Sequence, residues 1–222
     1  MATDWVTFDC YGTLADWLGG MRNALARHVG ADDAERLLHA YHDLEAGVEA
    51  QDPAPSYRTV LTETLARAAE REGVELPAGA ETALVDHWHE LPIFDDVGPA
   101  LSALRENGWS LAILSNCDDD LLASTLERMP VPFDLTVTAE QVGSYKPDPG
   151  HWRAFAKRTD GDRGRWVHAA QSWFHDIRTA ADLEVPRVWV DRLDSEEDAS
   201  VATVRIRDLS GLVEAVERAA AG

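Results

Sequence analysis

The sequence predicts an α/β protein: a doubly wound, Rossmann-like parallel sheet with a helical segment inserted after the first strand. Three observations lead to this prediction. A buried-type apolar run, "WVTF", stands at residues 5–8, and residues 15–92 then show helical spacing without a strand-like run. From residue 93 onward, strand-like and helical stretches alternate. A chain of 222 residues is long enough for one such core with an insertion.

Within the insertion, apolar residues recur at the spacing of one helix face. This spacing predicts three helices, over residues 34–50, 57–73 and 81–91. Gly73 is a typical helix stop. We therefore assign residues 15–92 to a helical domain, and residues 1–14 with 93–222 to the α/β core.

The second part of the chain supplies the remaining elements of the predicted sheet and its covering helices. Strands are predicted over residues 109–116, 133–142, 165–172 and 186–192. Helices are predicted over residues 97–108, 118–129, 150–159, 176–185 and 208–222. Strands joined through helices in this way form parallel sheets.

The charge balance argues against several classes of partner. The chain has 20 Lys and Arg against 40 Asp and Glu, a formal net charge of −20. Such a surface repels nucleic acid and anionic membranes. No signal peptide precedes the first strand, and no apolar run approaches the ~20 residues of a membrane span. We expect a soluble cytoplasmic protein that binds a small molecule, with a homodimer as its candidate assembly.

The two cysteines, Cys10 and Cys117, do not predict a disulfide framework. Each stands one residue from a candidate site residue, Asp9 or Asn116. No His and Asn pattern of a cysteine nucleophile accompanies them. We interpret both as small buried side chains.

Polar groups stand at or after the ends of four predicted strands: Asp9, the pair Ser115-Asn116, Lys146 and Asp176. Each has an ordinary explanation as a strand end, helix cap or loop lysine. Together they would place a carboxylate nucleophile, hydroxyl and amide donors, a cation and a second carboxylate around one crevice. Lys146 is one of only two lysines. We expect its charge to lower the pKa of Asp9 against the effect of burial.

Four segments resemble, in order and spacing, the motifs of the haloacid dehalogenase (HAD) superfamily of hydrolases. They are "FDCYGTL", "LAILSN", "YKPDP" and "HAAQSWFHDI". Within it, "TFDCYGTLADW" and "HAAQSWFHD" look like the type II 2-haloacid dehalogenase branch. The resemblance covers residues 4–18 and 93–192, and the helical insertion fits that branch's cap domain in place and size.

The resemblance implies a role for each matching residue. Asp9 matches the aspartate nucleophile, Lys146 the charge-balancing lysine and Asp176 the acidic residue of the fourth motif. Thr13, Ser115 and Asn116 match the residues that hold the nucleophile and the substrate carboxylate.

Two positions choose between branches of the superfamily. Its phosphatases carry an acid two residues after the nucleophile, to protonate the leaving oxygen, and here that position is Tyr11. Halide leaves without a proton, so a dehalogenase does not need that acid. The phosphatase fourth motif also offers an early aspartate to Mg²⁺, and here that position is Gln171. We therefore predict no metal and no cofactor, with Mg²⁺ required only under a phosphatase alternative.

Some positions depart from the dehalogenase pattern. The halide-cradling arginine of the first cap helices is missing from "LLHAYHDLE", where His39, Tyr41 and His42 stand. We interpret the two histidines as surface or interhelix residues. Trp152 replaces the family's usual tyrosine, and Trp173 replaces its asparagine. Both are candidate substrate-binding residues, as are Tyr11 and Trp17. For Trp17, packing at the hinge into the helical domain is the alternative.

Three functions remain open at this point. The first is hydrolytic, metal-independent dehalogenation of a short 2-haloalkanoic acid to the 2-hydroxy acid, through an ester on Asp9. The second is a Mg²⁺-dependent phosphatase acting on a small phosphate ester. The third is a catalytically idle member of the fold that binds a small acid or a partner. Keeping Asp9, Lys146 and Asp176 together in a crevice favours an enzyme.

Overall fold

Six parallel strands form one sheet in the structure, a computed structural model that describes residues 2–160 and 163–222. Their order in space is β3-β2-β1-β4-β5-β6. The strands are β1 (Thr3–Phe8), β2 (Ser110–Ser115), β3 (Leu135–Thr138), β4 (Arg163–Ala170), β5 (Arg187–Val190) and β6 (Val204–Ile206). Every neighbouring pair is parallel. The predicted fold class, a doubly wound parallel sheet with helices inserted after the first strand, is confirmed.

The described residues also form ten α-helices. They are α1 (Trp17–Val29), α2 (Ala31–Glu49), α3 (Tyr57–Glu72), α4 (Ala83–Asp86), α5 (Val97–Glu106), α6 (Asp119–Leu126), α7 (Ala139–Val142), α8 (Gly150–Arg158), α9 (Arg178–Asp182) and α10 (Leu212–Ala221). None of these helices in the described ranges is both long and apolar enough to cross a membrane.

The chain divides into two compact units. One contains the residues before Asp16 together with Ile93–Asn116 and Arg128–Gly222, and the other contains Asp16–Pro92 and Cys117–Glu127. The predicted limits of the helical domain, residues 15–92, stay a prediction. Three residues of the predicted core, Met1, Gly161 and Asp162, lie outside the described residues.

The order of the strands predicts a ligand-binding position at the end of the central strand. β1 lies between β2 and β4, with Phe8 opposite Ile113 on one side and Ala169 on the other. The chain winds outward from β1 through β2 and β3, then returns to β4 on the other side. Sheets of this order bind ligands outside the carboxyl ends of the strands where the winding reverses. Asp9 directly follows β1 at this point.

Two elements of the α/β unit differ from the sequence prediction. Residues 133–142 do not form one strand: β3 ends at Thr138, whose hydroxyl caps α7 by accepting from Gln141 N at 3.2 Å. Such a cap outweighs the strand propensity of the preceding residues. β6 was not predicted, because three residues are too few to show a period.

The helical unit contains a helix that the prediction left unassigned. α1 begins where Asp16 Oδ1 accepts a hydrogen bond from Gly19 N at 2.9 Å. It buries Trp17, Met21 and Leu25, which recur every four residues. The capping aspartate followed by helical spacing is the sequence signal that could have identified α1. The third predicted helix is interrupted: α4 ends at Asp86, and a 3₁₀ turn follows over Trp88–Glu90.

Candidate active site

The turn after β1 holds one oxygen of Asp9. The Asp9 N–H donates to the carbonyl of Ala169 on β4 at 3.2 Å, which continues the sheet to the predicted nucleophile. The chain then turns at Gly12, with φ of +91°, where a Cβ would lie 3.1 Å from the Gln171 side chain. Glycine is therefore favoured there by both conformation and space. The turn brings Thr13 Oγ1 to donate to Asp9 Oδ2 at 2.8 Å, and Gln171 N donates to the same hydroxyl at 2.8 Å.

Lys146 connects the two predicted catalytic carboxylates. Its Nζ donates to Asp9 Oδ1 at 2.9 Å, to Asp176 Oδ1 at 2.8 Å and to the carbonyl of Leu114 at 3.0 Å. These three acceptors match the three protons of an ammonium group. The Lys146 side chain is 1% exposed. The buried cation therefore has a fixed position between both acids.

The fourth motif presents Asp176 from an irregular turn. Trp173–Ile177 forms one π-helical turn, in which Asp176 N and Ile177 N both donate to the carbonyl of Ser172, at 3.1 and 3.2 Å. Turns of this kind are frequent at functional sites. Asp176 is fully buried. Its Oδ1 accepts from Lys146 and pairs with His168 Nε2 at 3.0 Å, whereas its Oδ2 has no hydrogen-bond partner among the described residues.

The pKa values of the two acids move in opposite directions. Burial raises the pKa of Asp9 and outweighs the attraction of Lys146, while the charge of Asp176 raises it further. The expected lowering of this pKa is therefore wrong in its net direction. Burial also raises the pKa of Asp176, but the charge of Lys146 and the hydrogen bond to His168 lower it to about 2. Burial lowers the pKa of Lys146, yet the two carboxylates raise it above its ordinary value.

Two of the predicted substrate-binding residues lie beside this cluster. Ser115 ends β2 and is fully buried, and its Oγ has no hydrogen-bond partner in the described part of the chain. Asn116 instead holds the main chain of Lys146: its Oδ1 accepts from Lys146 N at 2.6 Å, and its Nδ2 donates to the Lys146 carbonyl at 3.0 Å. This positioning role of Asn116 is an addition to the sequence analysis.

The predicted aromatic contacts have packing partners in the structure. Trp152, on α8, is 1% exposed, and its ring meets that of His168 edge-on at 5.3 Å. Trp173 donates from Nε1 to the Asp198 carbonyl at 3.2 Å. Tyr11 is half-buried in the turn after β1. Their contacts with substrate stay predictions.

Trp17 is the predicted substrate-binding residue of the helical unit. Trp17 packs its ring at 5.6 Å from that of Tyr41, whose hydroxyl donates to Glu45 at 3.1 Å. Its contact with substrate also stays a prediction. His39 and His42 are exposed, in agreement with their interpretation as surface residues.

Sequence reasoning missed two buried histidines of the α/β unit. His151 Nε2 lies 3.1 Å from the Ser115 carbonyl, and burial with the nearby Lys146 charge lowers the pKa of His151 to about 4. His168 lies on β4 against Asp176. The available signal was its place within "RWVHAAQS", where a titratable side chain interrupts a buried apolar strand.

The arrangement suits covalent chemistry at Asp9. Asp9, the predicted nucleophile, has its carboxylate held by Thr13 and Lys146, and Asp176 has an unpartnered oxygen that can accept a hydrogen bond from water. Within the described ranges, no group of three or more His, Cys, Asp and Glu side chains is placed to hold a metal ion. The buried Cys10 and Cys117 are not joined in a disulfide bond.

Comparisons with known proteins identify relatives of the chain. A family model described as haloacid dehalogenase-like hydrolase matches residues 3–184. The chain is 27% identical over 215 residues to (S)-2-haloacid dehalogenase 1 of a Pseudomonas species, covering 93% of this chain and 92% of that protein. It is 30% identical over 159 residues to (S)-2-haloacid dehalogenase 4A of Burkholderia cepacia, covering 64% of this chain and 63% of that protein.

Solved structures share the fold over nearly the whole chain. A crystal structure of an L-2-haloacid dehalogenase superimposes with a TM-score of 0.85 at 24% identity, covering 98% of this chain and 100% of that chain. The L-2-haloacid dehalogenase of Xanthobacter autotrophicus superimposes with a TM-score of 0.82 at 18% identity, covering 98% and 99%. A second structure of the Xanthobacter protein, with chloropropionic acid covalently bound, has a TM-score of 0.81 at 18% identity and covers the same shares.

Proposed function

Because the chain belongs to the haloacid dehalogenase-like hydrolase family, we propose that it hydrolyses a short 2-haloalkanoic acid to the 2-hydroxy acid. One observation carries this proposal: the buried Lys146 ammonium is shared by Asp9 and Asp176, and Asp176 keeps one oxygen unpartnered. The proposed reaction needs one carboxylate, Asp9, to form the ester and a second carboxylate, Asp176, to activate the water. The names of the curated relatives, (S)-2-haloacid dehalogenases, support the substrate class.

In the first step, an oxygen of Asp9 attacks the carbon that carries the halogen. A carbon–oxygen bond forms, and the carbon–halogen bond breaks with its electron pair leaving on the halide. The product is an ester on Asp9. The structure of the Xanthobacter protein with chloropropionic acid covalently bound supports a covalent intermediate. Lys146 and Thr13 hold the Asp9 carboxylate in place before attack.

In the second step, water attacks the ester carbonyl of Asp9. Asp176 Oδ2 accepts the water's hydrogen bond and then its proton, while Lys146 offsets the negative charge that develops on the carbonyl oxygen. The acyl–oxygen bond breaks, Asp176 passes the proton to the departing oxygen, and the 2-hydroxy acid leaves. The second proton of the water is released when Asp9 ionises again. Asp9 then contains one oxygen atom from water.

Substrate recognition requires donors for a carboxylate. Ser115 Oγ is buried at the end of β2 without a partner among the described residues, and it can donate to that group. Ser115 precedes Asn116, whose side chain anchors the Lys146 main chain. This arrangement supports a rigid acid-binding position next to the buried cation.

The site's composition favours carbon–halogen over phosphate-ester cleavage. Tyr11 stands where a phosphatase needs an acid for its leaving oxygen, and Gln171 stands where it offers a carboxylate to Mg²⁺. The Gln171 side chain instead lies against Gly12. These donors do not fit a Mg²⁺ site of that kind, and no step of the proposed reaction uses a metal.

Halide release tests the reaction class. Purified protein is incubated with chloro-, bromo- and fluoroacetate and with 2-halopropionates, and halide is measured against an Asp9→Asn control. We expect release from at least one of them, unchanged by a chelator. Chelator-sensitive turnover of an aryl phosphate with Mg²⁺ would instead establish the phosphatase, and inactivity on every substrate would favour a binding protein.

Isotope labelling tests the ester. In a single turnover in heavy-oxygen water, with enzyme in excess over 2-chloropropionate, we expect the label to enter Asp9 and not the hydroxy acid. Direct labelling of the product in that first turnover would mean that water attacks the substrate itself.

A further inference from the structure

Resting on the proposed function, we propose that His168 is a positioning residue that fixes Asp176 so that its Oδ2 faces the hydrolytic water. His168 is the first residue of the fourth motif segment, "HAAQSWFHDI", but the resemblance implies no role for it, and its only described route to the reaction runs through Asp176. It is fully buried on β4, with its Nε2 at 3.0 Å from Asp176 Oδ1.

The hydrogen-bond pattern assigns the tautomer of His168. An ionised carboxylate only accepts, so Nε2 must carry the proton that it donates to Asp176. In the neutral ring Nδ1 is then an acceptor, and it lies 2.9 Å from Thr7 Oγ1. Thr7 Oγ1 in turn accepts from Trp166 Nε1 at 2.9 Å, and its own proton has two acceptors within reach, Nδ1 at 2.9 Å and the Val167 carbonyl at 3.4 Å. The shorter distance favours Nδ1. The chain of donors therefore runs from Trp166 through Thr7 and His168 to Asp176.

This chain of donors determines which oxygen of Asp176 is left over. Lys146 and His168 both donate to Oδ1, at 2.8 and 3.0 Å. Oδ2 is buried and receives no hydrogen bond from the described residues. If His168 did not donate, the carboxylate would be held by Lys146 alone and could rotate to exchange its oxygens. The histidine thus keeps the unpartnered oxygen available for water.

The ring is held rigidly enough for this role. The ring of Trp152 packs edge-on against that of His168 at 5.3 Å, and Thr7 fixes the opposite nitrogen. Thr7 and His168 are aligned partners on neighbouring strands β1 and β4, so the backbone register sets their spacing. The strand that ends at the nucleophile therefore also orients the group that positions the second acid.

The role predicts a defect confined to the second step. His168→Leu removes the Nε2–H donor and replaces the imidazole with an apolar side chain of similar bulk, so ester formation on Asp9 should continue. Ester hydrolysis should slow by roughly ten- to a hundredfold, the usual effect of losing a hydrogen bond to a charged group. His168→Gln places an amide N–H near the position of Nε2 and should restore hydrolysis to within roughly threefold of wild type.

The experiment follows both steps with 2-chloropropionate as the probe. Acid-quenched samples of wild type, His168→Leu, His168→Gln and Asp176→Asn are analysed for halide and for the mass of the Asp9 peptide. Val167→Ala, which opens a cavity on the same strand without touching Asp176, is the matched control for lost stability. We expect a stoichiometric burst of halide and ester accumulation in His168→Leu and Asp176→Asn, but not in His168→Gln or Val167→Ala.

The outcomes separate this inference from the proposed function. Ester accumulation in Asp176→Asn, without any in His168→Leu, would overturn the role of His168 and leave the dehalogenase mechanism intact. Accumulation in Val167→Ala equal to that in His168→Leu would reduce the effect to general destabilisation and would also overturn it. Absence of halide release from every protein, wild type included, would overturn the proposed function and the role of His168 with it.

Discussion

Two aspartates end strands of the same sheet with similar local sequences but have different environments. Asp9 follows "WVTF" at the end of β1, and Asp191 follows "RVWV" at the end of β5. Both are buried. Asp191 accepts from Ser195 N at 3.0 Å, from Ser195 Oγ at 3.1 Å and from Arg205 Nε at 2.9 Å. Asp9 accepts from one hydroxyl and from an ammonium that it shares with a second acid.

The difference in partners produces opposite pKa shifts. At Asp191, burial raises the pKa, but hydrogen bonds from Ser195 and Arg205 outweigh it and lower the pKa. At Asp9, burial prevails and the pKa is raised. A well-satisfied carboxylate is stable and unreactive, whereas a poorly satisfied one keeps lone pairs for a reaction. The number of hydrogen bonds that a buried aspartate at a strand end receives therefore decides whether it suits a structural role or the role of a nucleophile.

The largest expected effect comes from exchanging each aspartate for its amide. Asp9→Asn removes the nucleophile and should lower halide release by at least about 10⁴-fold. Asp191→Asn weakens the ion pair with Arg205 and should lower the free energy of unfolding by about 1–3 kcal/mol. Its halide release should stay within roughly threefold of wild type, since the described hydrogen bonds to the Asp191 side chain come from Ser195 and Arg205, which lie outside the candidate site. Halide release and urea unfolding, measured on both variants, check the prediction; the comparison fails if both aspartates affect activity alike.

The next largest effect should come from Lys146. Lys146→Ala leaves Asp9 and Asp176 buried without their shared cation and should lower turnover by roughly 10³-fold. Lys146→Arg should fail as well, because a planar guanidinium cannot donate to these three acceptors from the same point. Lys157, which is exposed on α8, provides the control: Lys157→Ala should change neither activity nor stability measurably. Near-wild-type halide release by Lys146→Ala would refute the placement of the active site.

A smaller effect is expected at Ser115. Ser115→Ala removes the unpartnered buried hydroxyl and should raise the KM for 2-chloropropionate by roughly tenfold, the equivalent of one hydrogen bond to a charged group. The kcat should change less, because Asp9 and Lys146 keep their positions. Steady-state halide release over a range of substrate concentrations separates the two constants. A fall in kcat at constant KM would show that Ser115 acts on the reaction and not on binding.

The smallest expected effect is a displacement of the acid limb of the pH profile. Attack requires ionised Asp9, and its raised pKa means that more alkaline conditions are needed for ionisation. The acid limb of kcat/KM should therefore lie above the ordinary value of 3.8 for aspartate. The raised pKa of Lys146 keeps the ammonium charged, so Lys146 should produce no alkaline limb below its ordinary value of 10.5. Halide release as a function of pH checks both limits, and an acid limb below 3.8 would contradict the raised pKa of Asp9.

The sequence predicted the elements whose periods are long and whose ends carry clear signals. α3 is an example, beginning after Ser56 and ending at Gly73, where the backbone is left-handed. Prediction failed where a short local interaction decides the structure, as at Thr138, whose hydroxyl starts α7 within a strand-like run. β6 was not predicted, because its three residues show no local pattern and its pairing with β5 joins separate parts of the sequence.

The sequence by itself determined the fold class and singled out the candidate acids and the candidate cation, because strand patterns and motif order are properties of the linear chain. It also distinguished Tyr11 and Gln171 from the acids of a phosphatase. Only the tertiary structure decided that Asp9 receives few hydrogen bonds while Asp191 receives several from Ser195 and Arg205. Hydrogen-bond partners and burial depend on residues far apart in sequence, as with Lys146 and Asp9. The same reason hid His168, whose function depends on Thr7 and Asp176 meeting its two nitrogens.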